Sequence, residues 1–179
     1  MARAKGLHIL QIVKVLRQNR ERVRALLPPP LHKYLDERIL PSTWYPNEDH
    51  IALLRALAAL LPATPDPWTT IGRGSAFADL SGLYRNYLRK GDPLQTMRVL
   101  EAAWRSAHDT GTLSITPDGP TAAVIVLRDF ELRLREYCRL LWGYQMEAAT
   151  LSGASDVRNV HLSCCANGDT ECRWRVEWR

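Results

Sequence analysis

The sequence lacks any uninterrupted run of about eighteen apolar residues, the shortest stretch that usually spans a membrane as a helix. Its basic start is not a secretory signal either, because the stretch 9–16 is interrupted by Gln11 and Lys14 and no small-residue cleavage site follows. We therefore expect a cytoplasmic protein without a transmembrane segment. Cysteine is sparse, with four residues in 179, and in the cytoplasm these are expected to be thiols or metal ligands rather than disulfides.

Groupings of residues that support catalysis are missing as well. The sequence holds no paired carboxylates, no metalloprotease helix, no P-loop lysine and no spaced glycines of the dinucleotide-binding type. A reactive cysteine needs a histidine or a helix N-terminus beside it, whereas the five histidines are scattered singly along the chain. We therefore expect a protein that is not an enzyme.

Positive charge is concentrated at the start of the chain. Residues 1–40 hold nine basic and three acidic residues, whereas the remaining 139 residues hold 15 basic and 16 acidic residues. Apolar residues at helical spacing predict a helix over 6–27, and a solvated surface helix is the simplest interpretation. The alternative is a basic peripheral protein that binds nucleic acid or an anionic membrane through this helix. The basic surface in question comprises Lys14, Arg17, Arg20, Arg22 and Arg24.

A triple proline, Pro28 to Pro30, ends this helix and argues against a nucleic-acid role, because it leaves no place for the second helix of a helix-turn-helix motif. Further helices are predicted over 47–61 and 69–90. In the second of these, Gly72 and Gly74 indicate close packing against a neighbouring helix. Its expected core-facing residues are Phe77, Leu80, Leu83, Tyr84 and Tyr87.

The second half of the chain combines helices with paired strands. Asp92 is a typical helix cap, because a proline follows it. Strands are predicted over 112–116 and 121–127, followed by a long helix that Asp129 caps and a terminal hairpin. The order predicts an α+β fold in which a four-stranded, mainly antiparallel sheet carries helices on one face. We assign residues 1–67 to a helical N-terminal extension and 68–179 to this domain.

The terminal hairpin is the clearest pattern in the sequence. Cys172, Trp174, Val176 and Trp178 alternate with polar residues, as in a half-buried strand. In the preceding arm, strict alternation places Val160, Leu162 and Cys164 on the same covered face. An odd-length loop with Gly168 in the left-handed conformation joins the arms. The favoured register sets Leu162 opposite Cys172, and the alternative sets Cys164 there.

The cysteines are the strongest candidates for a chemically functional site. Cys138, Cys164 and Cys172 are candidate metal ligands, since zinc takes sulfur and nitrogen ligands in a tetrahedron. Strict alternation turns His161 away from them, so a closed site with four ligands is hard to assemble. Buried thiols that act as small hydrophobic residues are the preferred interpretation.

The segment from Trp68 to Trp178 resembles the fold shared by 4-vinyl-reductase domains, TRAPP vesicle-tethering subunits and, more distantly, haem nitric-oxide-binding domains. The most specific match is the sequence Cys165-Ala-Asn-Gly-Asp169, followed by a cysteine before an aromatic-rich last strand. The Trp44-Tyr45-Pro46 segment further resembles an uncharacterised bacterial family. The resemblance implies a binding module in which the cysteines hold metal or ligand. For haem it implies a helix histidine, for which His108 is the candidate, but no Tyr-x-Ser-x-Arg motif for the propionates is present.

The first functional hypothesis is a non-enzymatic regulatory or scaffolding module. It binds a small apolar ligand or a protein partner between the long helix and the hairpin, and it forms a homodimer, as related folds do. No cofactor is expected under this hypothesis. The alternative is a haem- or metal-based sensor, with His108 or the cysteines holding haem or zinc. The predicted ligand-binding residues are Leu134, Tyr137, Leu141, Tyr144, Trp174 and Trp178.

Overall fold

The computed structural model describes residues 2–82 and 84–179, and the chain divides into two compact units. The first unit runs to Pro65 and includes Ala107–Asp109, and the second comprises Asp66–Ser106 and Thr110–Arg179. Among the helices of the described residues, none is both long enough and apolar enough to cross a membrane.

The first unit is mainly helical, as the sequence predicts, but the predicted helix over 6–27 is two helices that meet at Asn19. It also contains a small antiparallel sheet in which Ala4 pairs with Tyr45. Strands of three residues are too short for an alternating pattern to reveal them. The elements of this unit are β1 (Arg3–Lys5), α1 (Gly6–Gln18), α2 (Arg20–Leu26), α3 (Lys33–Asp36), β2 (Trp44–Pro46) and α4 (Asn47–Leu60).

The second unit has the predicted α+β architecture. Its four strands form one antiparallel sheet in the order β3-β4-β6-β5. Asp92 caps its helix as predicted, since its Oδ1 accepts the main-chain N–H of Gln95 at 2.9 Å. The elements are α5 (Pro67–Ser81), α6 (Pro93–Ala107), β3 (Thr112–Pro117), β4 (Ala122–Arg128), α7 (Arg135–Leu151), β5 (Arg158–Ser163) and β6 (Cys172–Glu177).

Helix α7 covers the apolar face of the terminal hairpin. Trp174 and Val176 are fully buried and Trp178 is nearly so, which confirms the predicted covered face of β6. The indole Nε1 of Trp142 in α7 donates to the carbonyl oxygen of Asn159 in β5 at 2.9 Å. This bond ties the middle of the helix to the edge strand.

Helix α5 packs on α7 with backbone in contact with backbone. A Cβ atom at Gly72 would overlap the carbonyl oxygen of Leu140, and one at Gly143 would overlap that of Thr69. The predicted packing role of Gly72 is therefore confirmed. Gly74 has no such role, because a Cβ there would meet nothing within 4 Å.

The structure corrects the predicted core face of α5. Phe77 is 57% exposed and Tyr87 is 38% exposed, whereas Leu80 and Tyr84 are buried as predicted. The helix ends at Ser81, so Tyr87 belongs to a separate turn. Helix α5 meets α7 through Gly72, and Phe77 lies on a face that stays open to solvent. Leu83 lies outside the described residues.

The predicted start of α7 at Asp129 is wrong. Asp129 has a left-handed φ of 54° and the helix begins only at Arg135. Between them, Phe130 packs against Trp104 and Tyr137, with ring centroids 5.1 and 5.2 Å apart. Docking of this aromatic residue outweighs the local capping preference of the aspartate.

Candidate metal centre

Four potential metal ligands converge where α7 crosses the start of β6. They are Cys138 of α7, His161 of β5, Cys164 just after β5, and Cys172, the first residue of β6. Their ligand atoms all lie within 4.8 Å of one another. The Sγ atom of Cys138 is 3.5 Å from that of Cys172 and 3.6 Å from that of Cys164. The three cysteines are buried and His161 is half-buried.

A β-bulge at Leu162 brings His161 to the same side as Cys164. In the pairing of β5 with β6, His161 lies opposite Trp174 and Ser163 lies opposite Arg173, so Leu162 is an extra residue. Such an insertion reverses the facing of every residue beyond it. The predicted orientation of His161 away from the cysteines is therefore wrong.

Next to the loop the strands keep the alternative predicted register, because Ser163 pairs with Arg173. Beyond the bulge the register shifts by one residue, and the favoured register with Leu162 opposite Cys172 is wrong. Val160 and Leu162 are 54% and 53% exposed, because it is Asn159 and His161 that face α7 in this part of β5. Cys164 is buried as predicted, and Gly168 has the predicted left-handed φ, at 99°. The loop is fixed by Asp169, whose Oδ2 accepts the main-chain N–H of Cys164 at 2.7 Å.

The geometry of the cluster suits a zinc ion. In a tetrahedral site with zinc–sulfur bonds of about 2.3 Å, sulfur atoms lie roughly 3.8 Å apart. The observed separations of 3.5 and 3.6 Å require only small adjustments. Three cysteines and one histidine are a common ligand set for zinc. The buried Nε2 atom of His161 has no hydrogen-bond partner, and a metal ion would satisfy a ring nitrogen of this residue.

The environment of Cys172 favours its thiolate form. Hydrogen bonding from the Cys138 thiol, helped by His161 and by the main-chain N–H of Cys165, lowers the pKa of Cys172 to about 4. The same hydrogen bond, together with burial, raises the pKa of Cys138. The Cys165 N–H lies 3.3 Å from the Cys172 sulfur. A metal ion would replace the Cys138 proton as the group that stabilises the neighbouring thiolates.

Packing holds His161, the candidate histidine ligand, in place. The ring of His161 stacks on the buried indole of Trp174, with centroids 4.9 Å apart and an angle of 6° between the planes. This contact fixes the plane of the imidazole before any metal binds. Trp174 therefore supports the centre in addition to filling the core.

A cavity of about 270 Å³ opens beside the cluster. Its lining contains two arginines from the first turn and a half of α7. Arg139 pairs with Asp66 at 2.8 Å and lies over the ring of Trp142 at 4.6 Å. Three thiolates and a neutral imidazole around Zn²⁺ carry a net negative charge, which these arginines would partly balance. The lining residues are Arg135, Cys138, Arg139, His161, Cys164 and Asn167.

The six residues predicted to bind an apolar ligand do not form one layer. Tyr137, Trp174 and Trp178 are buried in the core. Leu134 precedes α7 instead of lying on it. Tyr144 is directed to α5, where its hydroxyl bonds to Oδ2 of Asp79 at 3.2 Å. Leu141 is half-buried.

His108, the predicted haem ligand, lies in the first unit and packs face to face against another histidine. Its ring stacks on that of His8 with centroids 5.4 Å apart. Burial, with the neighbouring His8 and His50, lowers the pKa of His108 well below its usual value.

Most side chains of the predicted basic surface form hydrogen bonds or ion pairs within the first unit. Arg17 donates to the carbonyl oxygen of Tyr34 at 3.0 Å, and Arg22 donates to that of Ala59 at 3.2 Å. Such carbonyl groups near helix ends lack partners within the helix. Arg20 and Arg24 both pair with Asp36, at 2.9 and 2.7 Å, and Lys14 is exposed.

Neither a protein-family model nor a curated protein matches the sequence, but solved structures do. One is an oxygen-binding H-NOX domain related to soluble guanylate cyclases, with a TM-score of 0.71, 12% identity, and coverage of 98% of this chain and 95% of that chain. A mutant H-NOX protein from S. oneidensis in the Fe(II) ligation state matches with a TM-score of 0.68 and 12% identity. The match covers 98% of this chain and 96% of that chain. A third structure, from work on haem redox potential and protein-induced porphyrin distortion, matches with a TM-score of 0.69 and 13% identity. The match covers 97% of this chain and 99% of that chain.

At these identities the likeness establishes the fold, which is the α+β fold of H-NOX domains. It supports the haem nitric-oxide-binding part of the resemblance predicted from the sequence. The 4-vinyl-reductase and TRAPP parts of that resemblance receive no support from these structures.

Proposed function

We propose that this protein is a non-enzymatic sensor domain of the H-NOX fold that binds one zinc ion through Cys138, His161, Cys164 and Cys172. The observation that supports this proposal is the convergence of the four ligand atoms within 4.8 Å. The ligands come from α7, β5 and β6. A metal held by all of them would join the long helix to the terminal hairpin.

Each residue has a distinct part in this proposal. Cys172 supplies the first thiolate, since its pKa is already low without metal. Cys138 is the ligand from the helix, so its loss would release α7 from the hairpin. The stacked ring of His161 supplies the nitrogen. Zinc contributes no redox chemistry of its own, and a closed site of four protein ligands is typical of structural zinc. A signal would therefore act by changing whether all four ligands stay bound.

Metal analysis of the purified protein tests the proposal directly. We expect about one zinc per chain and, after exchange with cobalt, the absorption bands of a tetrahedral cobalt–thiolate site. The metal should be removed by a strong chelator and rebind with loss of protons. Protein that neither retains zinc nor binds cobalt through thiolates would contradict the proposed function.

A haem sensor is the second candidate, and its support is the fold of the H-NOX structures. One feature of this chain argues against haem, namely that the Tyr-x-Ser-x-Arg motif expected to hold the propionates is missing. An absorption spectrum of the purified protein, with and without added haemin, separates the two candidates. A stoichiometric Soret band that disappears in His108→Ala would favour haem.

The expected homodimer and the expected apolar ligand or protein partner are further proposals. Trp174, which the ligand hypothesis places at the binding layer, is fully buried. An apolar ligand would thus need α7 to move from the hairpin, whereas the metal proposal needs no such movement. Native mass spectrometry reports the bound metal, the bound small molecules and the number of chains in one measurement.

A further inference from the structure

Two of the three cysteines of the cluster line the cavity beside it. Cys138, His161 and Cys164 line it, whereas Cys172 is not among the lining residues. Each of the three cysteines is buried, with an exposed fraction of 6% or less. A small molecule that enters this cavity therefore meets Cys138 and Cys164 before it meets Cys172.

The charge of the lining selects for anions. Arg135 and Arg139 are both lining residues, and no carboxylate is among the six. Asp66 balances part of the charge of Arg139, whereas Arg135 forms no ion pair with another described residue and is the cation that sets the charge of the lining in the metal-free protein. Asn167 adds an amide group that can donate hydrogen bonds. Small cations are thus repelled from the cysteines, and small anions are attracted to them.

We infer that this cavity is an anion-selective entrance through which small soft anions, namely thiolates or hydrosulfide, reach Cys138 and Cys164. The part of this inference that concerns regulation of a zinc centre rests on the proposed function. A soft sulfur anion is the class that competes with cysteine for zinc. In the exchange, the sulfur of the incoming anion replaces one cysteine sulfur as a ligand. The displaced cysteine thiolate then takes a proton from water, and nothing is oxidised or reduced.

Two thiol reagents of similar size and opposite charge test the entrance without requiring metal. Sulfonatoethyl methanethiosulfonate is an anion and trimethylammonioethyl methanethiosulfonate is a cation. Each transfers its thioalkyl group to a cysteine thiolate, forms a mixed disulfide and releases methanesulfinate. The parent for this experiment is full-length, chelator-treated Cys165→Ser protein, which removes the cysteine outside the cluster. Modification of Cys138 and Cys164 is followed by mass spectrometry of peptides.

We expect the anionic reagent to react faster than the cationic one, relative to their rates with a free thiol, by roughly threefold to tenfold at low salt. Arg135→Gln should bring this ratio close to one, and Arg135→Lys should retain it. The matched control is Arg179→Gln, which removes a charge seven residues beyond Cys172 and about 20 Å along the strand. High salt should reduce the ratio in the parent protein.

A ratio near one in the parent, or an equal ratio in Arg135→Gln and Arg179→Gln, overturns the anion-selective entrance. Circular dichroism of each variant checks that the fold is intact, and Arg135 is exposed, so its replacement is expected to be tolerated. The result is independent of zinc analysis. Protein that binds no zinc can still show the selectivity, and protein that binds zinc can lack it.

Discussion

Cys165 and Cys172 show how differently two nearby cysteines are used. The side chain of Cys172 belongs to the cluster, whereas Cys165 contributes its main-chain N–H to the Cys172 sulfur. Burial raises the pKa of Cys165 to about 11, so it remains a thiol at neutral pH. Cys165 begins a short helical turn after β5. Strict alternation along β5 assigns the wrong side to His161, because a single inserted residue changes the facing of the strand.

Exchange of single cysteines for serine tests the ligand set. We predict that Cys172→Ser weakens zinc binding by roughly 100-fold or more, since a serine hydroxyl is a poor ligand and does not ionise at neutral pH. Cys165→Ser should change the affinity by less than about threefold. The dissociation constants are measured by competition with a zinc-binding dye. Equal losses in the two variants would contradict the assignment of the ligands.

The orientation of the hairpin can be tested with two of its apolar residues. Trp174 is fully buried and Leu162 is 53% exposed. We predict that Trp174→Ala lowers the free energy of unfolding by about 3–5 kcal/mol, and that Leu162→Ala changes it by less than about 0.5 kcal/mol. Urea unfolding of chelator-treated protein gives both values. A large loss for Leu162→Ala would mean that the register lacks the bulge.

The contact between α5 and α7 explains why two glycines of one helix have unequal roles. Gly72 lies against the backbone of α7, whereas the position of Gly74 is open. The sequence predicts close packing for both, because glycine spacing alone does not tell which face of a helix is covered. The same difficulty affects Phe77, which an apolar pattern assigns to the core and which is 57% exposed.

Replacing each of these two glycines by alanine tests how closely α5 packs on α7. Gly72→Ala should lower the free energy of unfolding by about 1–3 kcal/mol, because its methyl group overlaps the Leu140 carbonyl and the helices must separate. Gly74→Ala is the control in the same helix and should raise it by about 0.5–1 kcal/mol through helix propensity. Thermal and urea unfolding give both values. Similar effects of the two changes would argue against direct packing of the helices at Gly72.

Stability of the whole chain should depend on pH through three histidines of the first unit. Burial lowers the pKa of His8 to about 4 and that of His50 to about 3. His108 shifts in the same direction. In the unfolded chain these groups titrate near pH 6.5. Between pH 6.5 and about 4 the unfolded chain therefore binds protons that the folded chain does not, and acid destabilises the fold.

We predict that the free energy of unfolding falls as the pH is lowered from 6.5 to 5, by at most about 1.4 kcal/mol per pH unit for each histidine. His50→Leu removes one of these groups and should make the dependence less steep. Urea unfolding at a series of pH values, with chelator present so that metal loss does not contribute, gives the slope. Parallel curves for the parent and His50→Leu would show that His50 does not drive the effect.

The molecule as a whole has the predicted α+β class and strand arrangement, and its functional assignment required more than sequence patterns. The capped start of α6 and the covered face of β6 were predictable, because each depends on residues close together in the chain. The start of α7 was not, because Phe130 docks on Trp104, a residue distant in sequence. Contacts of this kind compete with local preferences and leave no periodic signal.

The sequence by itself determined which residues are available: four cysteines, an alternating last strand, and glycines that permit close helix packing. Local physical chemistry is sufficient for these, since turn, cap and strand preferences act over a few residues. Only the tertiary structure decided that Cys138, His161, Cys164 and Cys172 share one site. That decision depends on a bulge in β5 and on where α7 crosses the sheet, which are set by packing between segments far apart in the chain.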